Sequence, residues 1–359
     1  MNSIAVLGLN NNFYGSYSSN QVYFEELIQA FKLIGTKVFT ASTIEEAIKI
    51  YESTNISFSF SFSKYQYYSN GIPLYEKYGI LNYQWISDNP LKMGLDLESS
   101  WIKYIFIDRE YPLVLDKSVK NEYMFRPLGF LCKNIKNKSY SNGRILFPCK
   151  VRNLNEIYEQ INHSPYGVLI KKFLERYDRS ISFIKELVDY FRDENISELK
   201  ERESIFRMAN EFTRVEKRLW VLDRIIDIPV DVLSDDCKNN IKNPDVHFMK
   251  PQPYSILPYI INKYSYVVNV DPNYNDCVHD RFIRTISSGT VCVTNTNKWT
   301  SSISKVTYSF DDENSVMKAI VYAGKDLVYE EQLAAILEYT WEKSAALILH
   351  DYLRGKKFI

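Results

Sequence analysis

The sequence points to an α/β protein of two lobes, each built on a mostly parallel sheet, and three observations carry that expectation. Short apolar runs of strand length alternate with stretches of helical period, the pattern of successive βαβ units. The 359 residues amount to about two domains at roughly 150 residues each. The composition, 45% hydrophobic and 25% charged, is that of a chain with ordinary cores. Disorder would need low hydrophobicity and high net charge, and this chain has neither.

The elements follow in order. Residues 4–9 read as a buried strand, and the Asn/Gly/Ser-rich stretch 10–19 as the loop after it. A helix is expected over 20–33, with Val22, Leu27, Ala30 and Phe31 at helical spacing and Gly35 as its stop. Then come a strand at 37–41, a helix at 43–52 with Ser42 as candidate N-cap, and a strand at 56–62. Within that strand Ser57-Phe58-Ser59-Phe60-Ser61-Phe62 alternates with period two. A short helix at 73–78 and strands at 80–86 and 101–108 complete a first, Rossmann-like lobe over residues 1–130. The lobes join near 127–143.

The second lobe, 142–330, opens with a strand at 144–148. Residues 153–218 then turn helical and charged, with Phe173, Leu174, Ile184, Leu187 and Phe191 in the apolar stripe. Strand signals resume at 229–233, 246–249, 266–270, 290–294 and 305–310. A long helix at 329–353 carries Leu333, Ile336, Trp341, Ala345 and Ile348, so 331–359 forms a separate C-terminal segment. Its apolar positions suit packing on the first lobe and a dimer interface equally.

Charge and cysteine usage exclude several classes. The 44 Lys+Arg balance 44 Asp+Glu, which counts against a general nucleic-acid binder. Five cysteines, odd in number and without a C-x-x-C pair, make a disulfide framework or zinc knot improbable, and reduced thiols in the cytoplasm are expected. The first residues have no basic n-region, and nowhere do about 18 apolar residues run together, so neither a signal peptide nor a membrane span is expected. The 28 Tyr and 20 Phe bring the aromatic share to 15%. Either a ring-lined surface or a coding bias would produce that.

Ligands of open parallel sheets sit beyond the carboxyl ends of the strands, which directs attention to polar residues just after strands. The densest group is Asn269-Val270-Asp271-Pro272-Asn273-Tyr274-Asn275-Asp276-Cys277-Val278-His279-Asp280-Arg281-Phe282, a polar loop that opens a helix. A helix N-terminus presents free N–H groups to a phosphate, and His279 and Arg281 would add donors there. A plainer account has Asp276 and Asp280 capping the helix and Arg281 paired with a carboxylate. Lys150 and Arg152, after the strand at 144–148, and Lys250, after that at 246–249, are further phosphate candidates. Tyr254 suits stacking on a base or packing on the sheet. Asp88, in Asp88-Asn89-Pro90, follows a strand and is a candidate general base, or simply a turn former. His163, His247 and His350 read as structural. The loop at 10–19 lacks G-x-G-x-x-G, so a dinucleotide dehydrogenase is unsupported.

The run 266–295, with its polar loop, Arg281-Phe282, small residues before Gly289 and then Val291-Cys292-Val293-Thr294-Asn295, resembles the C-terminal half of the CgeB-like glycosyltransferases, which are related to the group 1 enzymes. Trp85-Ile86-Ser87-Asp88-Asn89-Pro90 is similar to that family's aromatic-x-x-Asp-Asp-Pro turn, Ile105-Phe106-Ile107-Asp108-Arg109 to its next strand, and Tyr123-Met124-Phe125-Arg126-Pro127-Leu128-Gly129 to the end of its first lobe. Arg218-Leu219-x-Val221-Leu222 falls where the family has an Arg-x-x-x-L helix.

The resemblance implies a GT-B fold: two Rossmann-like lobes facing across a cleft, with a helical insertion at the start of the second. It implies sugar transfer from a nucleotide-diphosphate donor held by the C-terminal lobe to a glycan, protein or small-molecule acceptor held by the N-terminal one. His279, Arg281, Asn275 and Gly289 then belong to the donor site, and the final helix crosses back to the first lobe. No bound metal is implied, in keeping with the lack of a suitable D-x-D pair or a His/Cys/Glu cluster. One departure stands out. Group 1 enzymes carry an acidic residue five positions before the turn glycine to accept from the ribose hydroxyls, and here that position is Arg284. Asp280, one turn earlier, is the candidate substitute. The alternative is a catalytically degenerate GT-B fold that binds a glycan or a protein partner.

Overall fold

The computed structural model describes residues 3–7, 19–62, 67–87, 90–92, 95, 99–115, 123–135, 137, 141–235, 241–271 and 273–355. The chain divides into two compact units. Met1–Asn134, Pro253–Ser255 and Leu337–Ile359 form the first, and Ile135–Gln252 with Ile256–Ile336 the second.

In the first unit the strands are β1 (Ser3–Leu7), β2 (Lys37–Ala41), β3 (Phe58–Phe62), a hairpin of β4 (Tyr68–Ser69) and β5 (Ile72–Pro73), β6 (Asn82–Ile86), β7 (Ile102–Phe106) and β8 (Tyr123–Phe125). All but the hairpin pair in parallel, in the order β2-β1-β3-β6-β7-β8. The helices are α1 (Ser19–Leu33), α2 (Ile44–Ser53) and α3 (Leu74–Lys77). Thr43, not Ser42, caps α2, its side chain accepting from the Glu46 amide at 3.2 Å. Ser42 instead gives its own amide to the Glu46 carboxylate at 2.7 Å, so the pair forms a capping box shifted by one residue.

Period two in β3 does not mean one wet face. All five of its residues are buried. Phe58, Phe60 and Phe62 lie on one side, while Ser59 donates to Asn82 Oδ1 at 2.9 Å and Ser61 accepts from Asn82 Nδ2 at 3.0 Å. The serines are core residues because Asn82 of the neighbouring strand satisfies them. Sequence reading also missed the hairpin, although its signal was present: Asn70 and Gly71 have φ of 54° and 81°, the left-handed pair that suits a two-residue turn. The short β8 was missed as well.

The second unit holds β9 (Ile145–Phe147), then α4 (Leu154–Asn162), α5 (Gly167–Arg176), α6 (Phe183–Asp193) and α7 (Leu199–Leu222) as four separate helices. There follow β10 (Val230–Leu233), β11 (Val246–Met249), α8 (Leu257–Ile261), β12 (Tyr266–Val268), α9 (Asp280–Ser287), β13 (Val291–Asn295), α10 (Thr300–Ile303), β14 (Thr307–Tyr308), α11 (Ser315–Ala323) and α12 (Val328–Ile336). Its sheet is wholly parallel, in the order β11-β10-β9-β12-β13-β14. Strand order therefore reverses between β9 and β12, the kind of switch point beyond which open parallel sheets hold their ligands.

The single helix expected over 329–353 is two. Between α12 and α13 (Trp341–Gly355) lies a turn at Leu337–Tyr339, and there the chain passes from the second unit to the first. The break is fixed by Thr340, bridged to Phe130, and by the Trp341 amide bound to the Phe130 carbonyl at 2.8 Å. Gly129 is required at that crossing, since a Cβ there would stand 2.7 Å from the Tyr339 carbonyl. Helix α13 then packs along α1. The Trp341 indole donates to Glu26 at 2.8 Å and meets Trp85 edge-on, with ring centroids 5.1 Å apart.

Candidate functional site

The switch point of the second sheet is built from the ends of β9 and β12. Cys149, just beyond β9, is fully buried, and the loop it opens is tied to the end of β10 by Ser234, which donates to the Val151 carbonyl and accepts its amide, both at 2.9 Å. Beyond β12 the chain enters a buried polar network. Asn269 donates to Asp271 Oδ1 at 2.7 Å and to Thr294 at 3.2 Å, and the Asp271 amide donates to Asn295 at 2.7 Å. Asp271 in turn receives the His279 amide at 3.2 Å, which fixes where α9 begins. Burial drives the Asp271 pKa up to about 7 against those hydrogen bonds.

Helix α9 thus starts beyond the end of β12. His279 is its N-cap: Nδ1 receives the Arg281 amide at 3.2 Å and Arg281 Nε at 3.1 Å, with the Asp280 carboxylate against the same nitrogen. The plainer account, with Asp276 and Asp280 as caps, does not hold: His279 is the cap and buried Asp276 pairs with Lys298 at 2.7 Å. Burial, then the Arg281 charge, pushes the His279 pKa down to about 4, so the ring is neutral at neutral pH. Arg281 is itself buried and spans the switch point, donating to the Pro148 carbonyl at 3.0 Å and the Val270 carbonyl at 3.3 Å and touching Cys149.

Two further guanidinium groups reach this place from α7. Arg218 is buried and donates to the Lys150 carbonyl at 2.5 Å. Its pKa falls to about 9, through burial first and then the charges of Arg214 and Arg281. Arg214, one turn earlier, also depresses His279. Among the described residues neither Arg214 nor Arg218 is ion-paired with a carboxylate, and the Nε of each is buried without a partner. Three arginines therefore concentrate positive charge near a helix N-terminus, with the Asp280 and Asp271 carboxylates beside Arg281. Such an arrangement is costly empty and stabilised by a bound anion. Arg218 entered the sequence reading only through a family resemblance and Arg214 not at all. The available signal was their i, i+4 spacing, which puts both on one helix face.

The other candidates are dispersed. Lys150 and Lys250 are exposed, each just beyond a strand of this sheet. Arg152 is committed to Glu211 of α7. The Asn275 carbonyl accepts the Lys298 amide at 3.0 Å. Gly289 lies at the far end of α9, with φ of 85°, where its amide closes the helix on the Ile286 carbonyl at 2.9 Å. Arg284 is buried in the last turn of the same helix. Tyr254 groups with the first unit, its hydroxyl 2.9 Å from that of Tyr23 and the two rings edge to face at 5.5 Å. Asp88 lies outside the described residues, as does the loop at 10–18. Among the described residues no group of three or more His, Cys, Asp and Glu is placed to share a metal ion, and no helix is long and apolar enough to cross a membrane.

No family model matches the chain, and no curated protein matches it. Solved structures do. AviGT4, a glycosyltransferase involved in avilamycin A biosynthesis, superposes with a TM-score of 0.59 at 10% identity over 99% of this chain and 98% of that one. The β-glucosyltransferase of phage T4 gives 0.52 at 12% identity, again over 99% and 98%. Sucrose-phosphate synthase from Thermosynechococcus elongatus gives 0.51 at 11% over the whole of both chains. At such identities the likeness is one of fold, and the fold is that of the GT-B glycosyltransferases.

Proposed function

We propose that the protein is a glycosyltransferase whose second unit binds a nucleotide-diphosphate sugar. The observation that carries this reading is the convergence of Arg214, Arg218 and Arg281 on the N-terminus of α9 at the sheet's switch point. A diphosphate leaving group builds up negative charge as the glycosidic bond breaks, and preorganised guanidinium groups and helix N–H donors stabilise that charge. The phage T4 enzyme, of the same fold, is known with UDP-glucose and with UDP and Mn²⁺.

In this reading the arginines hold the phosphates, neutral His279 fixes the start of α9, and Lys150 and Lys250 are exposed cations flanking the strand ends. Asp280 takes the ribose role that Arg284 cannot fill, since a guanidinium only donates. Asp88 is the base that accepts the acceptor's proton. Tyr254 is left out of the donor site.

Calorimetric titration with UDP, uridine and pyrophosphate tests the placement. UDP and pyrophosphate should bind, uridine far more weakly, and Arg218→Met should weaken both anions. Equal affinity of uridine and UDP would remove the diphosphate from this site. Asp88→Asn should abolish transfer and leave UDP affinity unchanged. The charge is met by side chains in this account, so transfer should survive EDTA; activity that returns only with Mn²⁺ would assign part of that task to a metal. Arg284 favours a second reading, a binding module that retains the donor without turnover. It gains if a UDP-sugar binds and is neither transferred nor hydrolysed.

A further inference from the structure

Away from the switch point, the second unit holds a pocket of about 430 Å³, within the range of small-ligand sites. The turn after α5, the middle of α7 and the segment after β14 form it. Since β14 is the edge strand, the pocket lies toward the side of the sheet, and none of the three clustered arginines lines it. Its walls carry the rings of Tyr177, Phe212 and Phe310. Carboxylates of Asp178, Glu216 and Asp311 stand among them, with one cation, Arg179, paired to Glu216 at 2.6 Å.

The chemistry of that lining narrows the ligand. Three carboxylates against one guanidinium repel an anion. A purely apolar guest would leave those charges desolvated and unpaired. A cation has lost its best seat, because the amino group of buried Lys217, whose pKa burial lowers to about 7, already lies 5.3 Å from the centroids of both Tyr177 and Phe310. That amino group is held there by the Tyr177 hydroxyl at 2.7 Å and Asn273 Oδ1 at 3.0 Å. Asp178 is also engaged, accepting the amide and hydroxyl of Ser180, both at 2.9 Å, which hold its carboxyl below the ordinary range and keep it ionised. What the pocket offers is mostly polar surface, carboxylate acceptors and a guanidinium donor, with a smaller share of ring surface from Tyr177, Phe212 and Phe310 for C–H faces. A polyhydroxylated ring satisfies both demands, since each hydroxyl donates and accepts.

We propose that this pocket is a second, saccharide-binding site, taking a neutral mono- or disaccharide independently of the nucleotide donor. It requires nothing of the transfer reaction and can stand or fall separately from the donor site. The test uses the full chain with maltose, cellobiose and N-acetylglucosamine as probes, followed by saturation-transfer NMR and titration, with spermidine as a cationic control. At least one saccharide should show saturable binding in the millimolar range. Asp311→Ala and Phe212→Ala should each weaken it about tenfold, the scale of a lost charge-assisted hydrogen bond or ring contact, while UDP affinity stays unchanged. Asp311 is exposed, so Asp311→Ala decides the matter if Phe212→Ala does not fold. Saccharide binding absent with all three probes, binding indifferent to the folded variants, or displacement of the sugar by spermidine at lower concentration would each overturn the proposal.

Discussion

The two sheets of this chain obey the same rule of parallel pairing and differ in what they bury. In the first unit the central strands are filled with rings: Phe58, Phe60, Phe62, Tyr83, Trp85, Tyr104 and Phe106 are all fully buried, with Trp341 of α13 packed among them. In the second the central strands are mostly aliphatic, with Ile145, Leu146, Val230, Val232, Val267, Val268 and Val293 beside Phe147. Polar side chains gather instead at the carboxyl ends of β12 and β13, where Asn269, Asp271, Thr294, Asn295 and Asn297 are buried together. The strand orders differ too. The first sheet reverses direction between β1 and β3, the second between β9 and β12. Rings packed within the sheet are therefore chiefly a solution of the first unit, while the second packs Phe173, Phe183 and Phe206 between its helices and gathers the charge that suits an anionic ligand at its strand ends. Rings stabilise by area and geometry, and buried charge does so only with a partner.

That contrast can be broken in a definite order. Trp341→Ala should have the largest effect, about 3–5 kcal/mol of stability, the cost of emptying an aromatic core site. Denaturant unfolding measures it, and UDP affinity below the transition should be unaffected. Arg218→Met should do the opposite. UDP binding should weaken by about 1.5–3 kcal/mol, the value of hydrogen bonds to a charged group, with no loss in melting temperature because an uncompensated buried charge has gone. A lower melting temperature with unchanged UDP affinity would make Arg218 a structural residue like Trp341.

Intermediate effects belong to pH. Asp271 has a folded pKa of about 7, above its unfolded value, so its contribution to stability is complete below about pH 4 and is lost as pH rises to about 7. His279 has a folded pKa of about 4, below its unfolded value, so its contribution is complete above about pH 6.5 and is lost as pH falls to about 4. The two slopes oppose each other over nearly the same range. Stability of the native chain should then vary little between pH 4 and 7. Asp271→Asn should expose a rise in stability with pH and His279→Gln a fall, both read from melting temperatures across that range. Parallel slopes in the two variants would break the pairing. The smallest effect expected is that of Tyr254→Phe, about 1 kcal/mol or less of stability for one hydroxyl bond to Tyr23.

Much of the architecture was legible along the chain. Strand and helix periods located nearly every long element, because each buries a face whose spacing is set by its own backbone geometry. Local chemistry also revealed α9 and its polar approach. What the local pattern did not carry was partnership. The serines of β3 were taken into the core by Asn82, a residue 21 positions beyond Ser61. The last helix broke at residues 337–340, where its backbone met Phe130. Neither event has a local signature.

The candidate site shows the same division. The sequence by itself determined that a polar loop opens a helix after a strand, with His279, Asp280 and Arg281 at its start, since cap chemistry and apolar period act within one turn. Only the tertiary structure decided that Arg214 and Arg218, more than 60 positions earlier, share that place, that Gly289 lies a helix length away from it, and that Tyr254 sits with Tyr23. The reason is physical. Hydrophobic period fixes which face of an element turns inward, but the meeting of charges across elements depends on strand order and crossover, which bring distant segments together for the sake of the core rather than of the charges themselves.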